Sequence, residues 1–283
     1  MRKVVVLKVS LALALSFGLL SQASAGNASA RGMRQAGQSQ DVSVAHAPAL
    51  LFMQRRGMTG ARRFAPRRIA ERNRRFLYTI KASYPQVVAA KDAKALQFNR
   101  AVKDLITEEV NAFKKDFPEP DPETPAEVRE NSFDAAYTVD YSGPDLISVS
   151  FGISTYFAGA AHPNHHTIVL NYDLNAGRTL KLSDLFKPRS NYMQAISAYT
   201  IAALKKKLGP DPDTEWIERG AGPDSENYKN WNITRRGLSV TFDPYQVASY
   251  AEGQHVIVIP YTALRNVINP DGPLGPLAKQ GQR

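Results

Sequence analysis

Ile147-Ser148-Val149-Ser150-Phe151-Gly152-Ile153-Ser154 alternates large apolar side chains with small, mostly polar ones. Successive side chains of an extended chain point to opposite faces, so this period of two marks a half-buried β-strand. Its neighbours read the same way. Phe133 to Tyr141 precedes it as a second strand. Thr167 to Leu174 follows, then a turn at Asn175-Ala176-Gly177 and a short strand from Arg178 to Leu182. A meander of this kind leaves one face to be covered by a helix.

Two stretches have helical spacing. Phe98, Val102, Leu105, Ile106, Val110, Phe113 and Phe117 recur every three or four residues and fall on one side of a helix. Pro118, Pro120, Pro122 and Pro125 stop it in a stiff acidic linker. Met193, Ile196, Thr200, Leu204 and Leu208 line a second helix, which Gly209-Pro210 ends, and this helix is expected to cover the meander. Phe76 to Ser83 reads as a strand ending at Tyr84-Pro85. Asn230 to Thr234 and Leu238 to Phe242 form a hairpin, Val256 to Ile259 suits a central strand, and Tyr261 to Ile268 a last short helix. The expected fold is α+β: a mainly antiparallel sheet covered by two long helices, with a small N-terminal α+β subdomain.

The ends of the chain bear on compartment. Arg2, Lys3 and Lys8 precede a charge-free apolar run, Val9 to Leu20, and Ala23-Ser24-Ala25 follows. The order of charge, apolar core and small residues reads as a secretory signal peptide cleaved after Ala25, which predicts a periplasmic or secreted protein. No cysteine is present, so stability has to come from a hydrophobic core, and thiolate metal sites and cysteine nucleophiles are excluded. The net charge of +10 is unevenly placed. Eleven arginines against Asp41 and Glu71 lie between Gly26 and Arg75, whereas the rest of the chain beyond Arg75 is slightly acidic. The basicity therefore does not mark the fold as a nucleic-acid binder. It marks an arm expected to be disordered, apart from a possible short helix over Arg67 to Leu77. The arm's charge suits electrostatic contact with an anionic envelope surface and equally suits a solubilising tail.

Two segments stand out for chemistry. Tyr156-Phe157-Ala158-Gly159-Ala160-Ala161-His162-Pro163-Asn164-His165-His166 is a loop of small residues, Pro and Asn between two strands. It reads as a protruding recognition loop, or as a turn with His162 bonded to backbone. Three clustered histidines also permit a metal-binding protein or hydrolase built on His162, His165 and His166. Phe242-Asp243-Pro244-Tyr245 through Tyr250 to Gly253 forms the other segment. Tyr245, Tyr250 and Trp231 can offer ring faces to a sugar or pack on the sheet edge. Asp243 and Glu252 have the residue types of a glycosidase pair but only commonplace spacing. Nucleophile-elbow, zinc-protease and phosphate-loop motifs are absent, which lowers the expectation of an enzyme. No cofactor is expected.

An ordered set of residues carries a resemblance. Tyr156, Gly159-Ala160 and His162-Pro163 are followed by Asn171-Tyr172-Asp173, Gly177, Leu180 to Leu182 and Asp184-Leu185-Phe186. Phe242-Asp243-Pro244-Tyr245, Ala248, Tyr250, Gly253 and Ile259-Pro260-Tyr261 complete it. The set resembles the RsiV-like extracytoplasmic sensor domain family, also found as the accessory region of PdaC-type peptidoglycan deacetylases. Tyr84-Pro85 through Phe98-Asn99 to Phe117 resembles the small domain that precedes it there. The resemblance implies a signal peptide over 1–25 and a disordered arm over 26–75. A small deacetylase-accessory-like subdomain and linker take 76–125, an RsiV-like α+β domain 126–268, and a flexible tail 269–283. It also implies a non-catalytic binding module for a lysozyme-like muramidase or for peptidoglycan glycan. The stretch before the apolar run is too short for a cytoplasmic sigma-binding domain, and no deacetylase block is seen, so the sensor or accessory module alone is expected. The residues expected to meet the partner are Tyr156, Gly159, Ala160, His162, Pro163, Asn164 and Tyr245.

Overall fold

The computed structural model describes residues 62–88, 90, 92–116 and 129–280. The expected signal peptide, the first part of the arm and the proline linker lie outside the described residues. Nine strands form two sheets. β1 (Phe64–Asn73), β2 (Tyr78–Val87), β3 (Asn131–Ser142), β4 (Leu146–Tyr156), β5 (Asn164–Asp173) and β6 (Arg178–Thr179) pair in that order, while β7 (Trp231–Ile233), β8 (Gly237–Phe242) and β9 (His255–Pro260) make a second sheet. All neighbours are antiparallel except β2 and β3, which run parallel and are joined through helix α1 (Ala93–Asp116).

The alternation that opens the sequence sorts the two faces of the large sheet. Ile147, Val149, Phe151 and Ile153 point into a core shared with Tyr78, Ile80 and Ala82 of β2 and with Phe98, Val102, Ile106, Val110 and Phe113 of α1. Each such side chain contributes about 1.5–3 kcal/mol by leaving water. Asp92 caps the first turn of α1 by accepting from the Ala95 N–H at 2.7 Å. The opposite face carries Ser148, Ser150, Gly152 and Ser154. At its Ser148 end the second sheet docks: Asn232 Nδ2 donates to Ser148 Oγ at 2.9 Å and Asn171 Nδ2 donates to the Trp231 carbonyl at 2.7 Å.

A second core belongs to the small sheet. Ile196 and Leu204 of α2 (Tyr192–Lys207) pack with Leu238, Val240, Phe242, Ile257 and Ile259. Helices α3 (Thr214–Gly220) and α4 (Gly275–Gln280) complete the described elements.

Several expectations need correction. The stretch from Phe64 to Asn73, read as arm or short helix, is edge strand β1, and β2 continues through Pro85 to Val87. Helix α2 covers the small sheet, while α1 covers the meander. β9 is an edge strand and β8, buried throughout, is the central one; Val256 and Val258 lie on the face of β9 that α2 does not cover. Tyr261 to Leu264 is a single 3₁₀ turn. The tail from 269 is folded to residue 280, with Leu274 and Leu277 in the second core.

His255, on β9 beside Ile257, is 5% exposed and neither ring nitrogen has a hydrogen-bond partner. Burial, with Lys207 nearby, holds its pKa below the ordinary imidazole value. A depressed folded-state pKa gives stability that is present above the unfolded value and lost as pH falls through the folded one. His255→Leu is expected to raise stability by about 1 kcal/mol at neutral pH and by more at pH 5, because it removes both the orphaned nitrogens and the proton uptake on unfolding. Urea melts at the two pH values check this. A gain that shrinks toward pH 5 would contradict it.

Candidate functional site

The two segments singled out in the sequence meet at one end of the large sheet. The β4–β5 loop leaves the strand at Phe157, whose ring stacks on Phe113 at the end of α1 with centroids 5.7 Å apart. The Ala158 N–H donates to Asn131 Oδ1 at 2.9 Å. Beyond these anchors the chain turns at Gly159, whose φ of +84° favours glycine and whose surroundings are open. Gly159, Ala160, Ala161 and His162 are exposed. The return leg is pinned by Tyr250, whose hydroxyl donates to the Pro163 carbonyl at 3.0 Å.

Tyr250 is also the centre of a ring cluster. The His162 imidazole stacks on it at 4.0 Å between centroids and 26° between planes, with Nδ1 of His162 2.9 Å from the Pro163 carbonyl. His165, at the start of β5, lies 6.2 Å from Tyr250. Tyr245 lies 5.4 Å from Tyr250 on another side and is 55% exposed. A shallow depression of about 360 Å³ adjoins Tyr245, bordered by Glu226, Asn227 and Lys229. The arrangement offers ring faces and polar groups to a ligand.

Scaffold residues hold this cluster. Tyr245 has a φ of +69°, which a bulky residue adopts only under constraint. The Trp216 indole N–H on α3 donates to the Tyr245 carbonyl at 3.0 Å, and Gln246 Nε2 donates to the carbonyls of Gly220 and Asn227, each at 3.0 Å. Gly220 lacks a Cβ because one would sit 1.8 Å from the Gln246 carbonyl oxygen. Asp243 ties the loop to the large sheet. Its carboxylate accepts from the Thr167 N–H (3.1 Å), the Thr167 hydroxyl (2.7 Å) and Asn230 Nδ2 (2.9 Å). A carboxylate so engaged by scaffold donors is a latch, which leaves no basis for pairing Asp243 with Glu252 as glycosidase groups.

Of the seven residues expected at a partner surface, His162 and Tyr245 sit in the ring cluster, Pro163 accepts the Tyr250 hydroxyl, and Gly159 and Ala160 form the exposed turn. Asn164 opens β5 and is exposed. Tyr156 ends β4, half-buried, and makes no ring contact with His162 or Tyr245 among the described residues. The histidine triad does not converge. His165 and His166 are successive residues of one strand and so face opposite sides. His165 lies by Tyr250, while His166 Nε2 is 3.3 Å from Glu109 of α1. Burial lowers the His165 pKa, helped by the charges of His162 and His166. Among the described residues no three His, Cys, Asp or Glu side chains are grouped to hold a metal ion. The expectation of a metal site or hydrolase on this loop is thereby corrected. Sequence reading missed Trp216, Gly220 and Gln246. A single Trp or Gly carries no local pattern, and only the tertiary approach of α3 to the loop reveals them.

Two family models match the chain in series. Residues 71–165 match the one described as deacetylase PdaC, and residues 183–262 match a protein family of unknown function, DUF3298. The PdaC region takes in most of β1 through β4 and the exposed loop. The DUF3298 region supplies α2, α3 and the small sheet with Tyr245 and Tyr250, so the ring cluster draws on both. The chain is 25% identical over 172 residues to the peptidoglycan-N-acetylmuramic acid deacetylase PdaC of Bacillus subtilis, covering 61% of this chain and 36% of that protein. It therefore spans about a third of that relative's length. A crystal structure of a DUF3298 family member from Bacteroides fragilis superposes with a TM-score of 0.52 at 17% identity, covering 78% of this chain and 100% of that one. This likeness supports the α+β fold. A DUF3298 family protein from Pseudomonas aeruginosa gives a TM-score of 0.49 at 14% identity, over 74% of this chain and 95% of that one. Among the described residues no helix is long and apolar enough to cross a membrane.

Proposed function

We propose that this protein is a non-catalytic binding module of the cell envelope and that the ring cluster of His162, Tyr245 and Tyr250 takes peptidoglycan glycan. The observation that carries the reading is the exposed Tyr245 beside the stacked His162–Tyr250 pair. Flat rings suit the apolar faces of pyranose units, and the neighbouring Asn227, Glu226 and Lys229 can meet their hydroxyl and acetamido groups. The similarity to a protein named as a peptidoglycan deacetylase supports a glycan of that class. The compartment follows from the same reading and from the apolar N-terminal run.

Calorimetric titration with soluble, uncrosslinked peptidoglycan strands tests the proposal. Tyr250→Ala removes the ring on which the others lean, and affinity is expected to fall at least tenfold, about 1.4 kcal/mol, with circular dichroism unchanged. Tyr245→Ala should weaken binding as well. Absence of heat with the wild-type protein, or equal affinity in both variants, would refute the reading.

A second reading rests on the exposed turn at Gly159, free of neighbouring atoms. By the RsiV-like resemblance this turn would enter the cleft of a lysozyme-like muramidase. Immobilised lysozyme should then retain the wild-type protein and release a Gly159→Trp variant, while the glycan titration stays silent.

A further inference from the structure

We infer that the β1–β2 hairpin is a docking surface for an anionic phospholipid bilayer. Seven arginines and one glutamate lie between Arg62 and Arg75, all on or beside the edge strand β1 and its turn. The glutamate does not neutralise them, because Glu71 is engaged by the Lys114 ammonium and the Tyr78 hydroxyl. Arg62 donates to the carbonyls of Gly143 and Pro144, at 2.8 and 3.1 Å, and Arg72 lies 3.6 Å from Glu130. Arg63, Arg67, Arg68 and Arg74 are exposed and make no ion pair or side-chain hydrogen bond among the described residues.

A folded strand differs from a loose basic tail. Antiparallel pairing with β2 from Phe64 to Asn73 fixes the spacing of these guanidinium groups, so the charge is held as a strip roughly 30 Å long. The pleat sends Arg67 to the face that α1 covers and Arg68 and Arg72 to the other, so cations flank the edge on both sides.

The tip of the hairpin decides the partner. There Phe76 is 40% exposed, with the Arg75 guanidinium 5.2 Å from its ring centroid and Arg74 next in sequence. An exposed aromatic ring among cations gains nothing from a soluble polyanion. At a bilayer, the ring enters the headgroup layer while guanidinium groups meet lipid phosphates. The tip also lies at the same end of the large sheet as the β4–β5 loop, because Thr79 pairs with Ser132, Ser132 with Tyr156 and Thr155 with Asn164. A protein seated on lipid through this hairpin would hold the ring cluster close to the bilayer surface.

The lack of cysteine allows a local test on the full chain. An environment-sensitive fluorophore is attached to Phe76→Cys or to Val88→Cys, an exposed position at the far end of β2. The probe at position 76 should shift to the blue on vesicles containing phosphatidylglycerol, stay unshifted on pure phosphatidylcholine, and lose the shift at about 0.5 M salt. The probe at position 88 should not respond. Arg67→Gln, Arg68→Gln and Arg74→Gln, introduced together with the position-76 probe, should raise the lipid concentration needed at least tenfold; these are surface changes, and an unaltered melting temperature verifies the fold. A silent probe at 76, equal shifts at 76 and 88, or an undiminished shift in the triple variant would overturn the inference. So would retention by inorganic polyphosphate with no response to vesicles, which would mark a soluble polyanion as the partner.

Discussion

Asn171→Ala is expected to cost about 3 kcal/mol of folding stability, the largest loss from any single change considered. Asn171 sits on β5 in the seam between the sheets, where Ser148 is also inaccessible. Its Oδ1 accepts from the Ser148 hydroxyl at 2.7 Å and the Ile233 N–H at 3.2 Å, and its Nδ2 donates to the Trp231 carbonyl. Truncation strands the Ser148 hydroxyl and the Trp231 carbonyl in a region closed to water, and each such group costs about 1–3 kcal/mol. The Ile233 N–H keeps Ser148 Oγ, 3.1 Å away, which limits the damage. Ser148→Ala on top of Asn171→Ala should cost less than the sum of the two singles, because a stranded group is then removed. Denaturant melts of the four proteins decide it. A loss below about 1 kcal/mol for Asn171→Ala, or strict additivity, would show that the network does not hold the sheets together.

Asp140→Asn should do the reverse and stabilise the protein at alkaline pH. Asp140 is the extra residue of a bulge in β3, between the Val139 and Tyr141 registers, and its Oδ2 is buried without a partner. Burial raises its pKa from 3.8 to about 6, against the lowering effect of hydrogen bonds from Ser150. Because the folded-state value is the higher one, the stability contributed by the proton is complete below the unfolded value and lost as pH rises through about 6. Two pH units correspond to about 3 kcal/mol, so Asp140→Asn is expected to gain about 2 kcal/mol at pH 8, part being lost to imperfect placement of the amide. At pH 4 the advantage should vanish. A gain independent of pH would locate the effect elsewhere.

Much of the large sheet could be read directly. The alternation from Ile147 to Ser154 identifies β4, and the three-and-four spacing from Phe98 to Phe113 identifies α1, because each element buries one continuous face. β1 was misread for the same reason. As an edge strand with arginines on both faces it has little alternation, and Ile69 is its only large aliphatic side chain. The apolar side of α2 says that it covers something without saying which sheet. Val256 and Val258 made β9 look central, although they lie on the face that α2 leaves uncovered. At the candidate site, both loops were visible as Gly- and Pro-rich interruptions, but their meeting through Tyr250 was not. The histidine cluster misled because proximity along a strand is not proximity in space: His165 and His166 are neighbours in sequence and are separated by the sheet.

The parallel contact of β2 with β3 has a kinetic side. The hairpins β3–β4 and β4–β5 close over short loops and can form while the rest of the chain is still searching. Joining β2 to β3 requires the chain to return through all of α1 and the proline segment after it, and that closure is slow. The β1–β2 hairpin and its arginines should therefore be the last part to dock and the first to detach, so a chain emerging into the envelope completes its central meander before it displays its most basic edge.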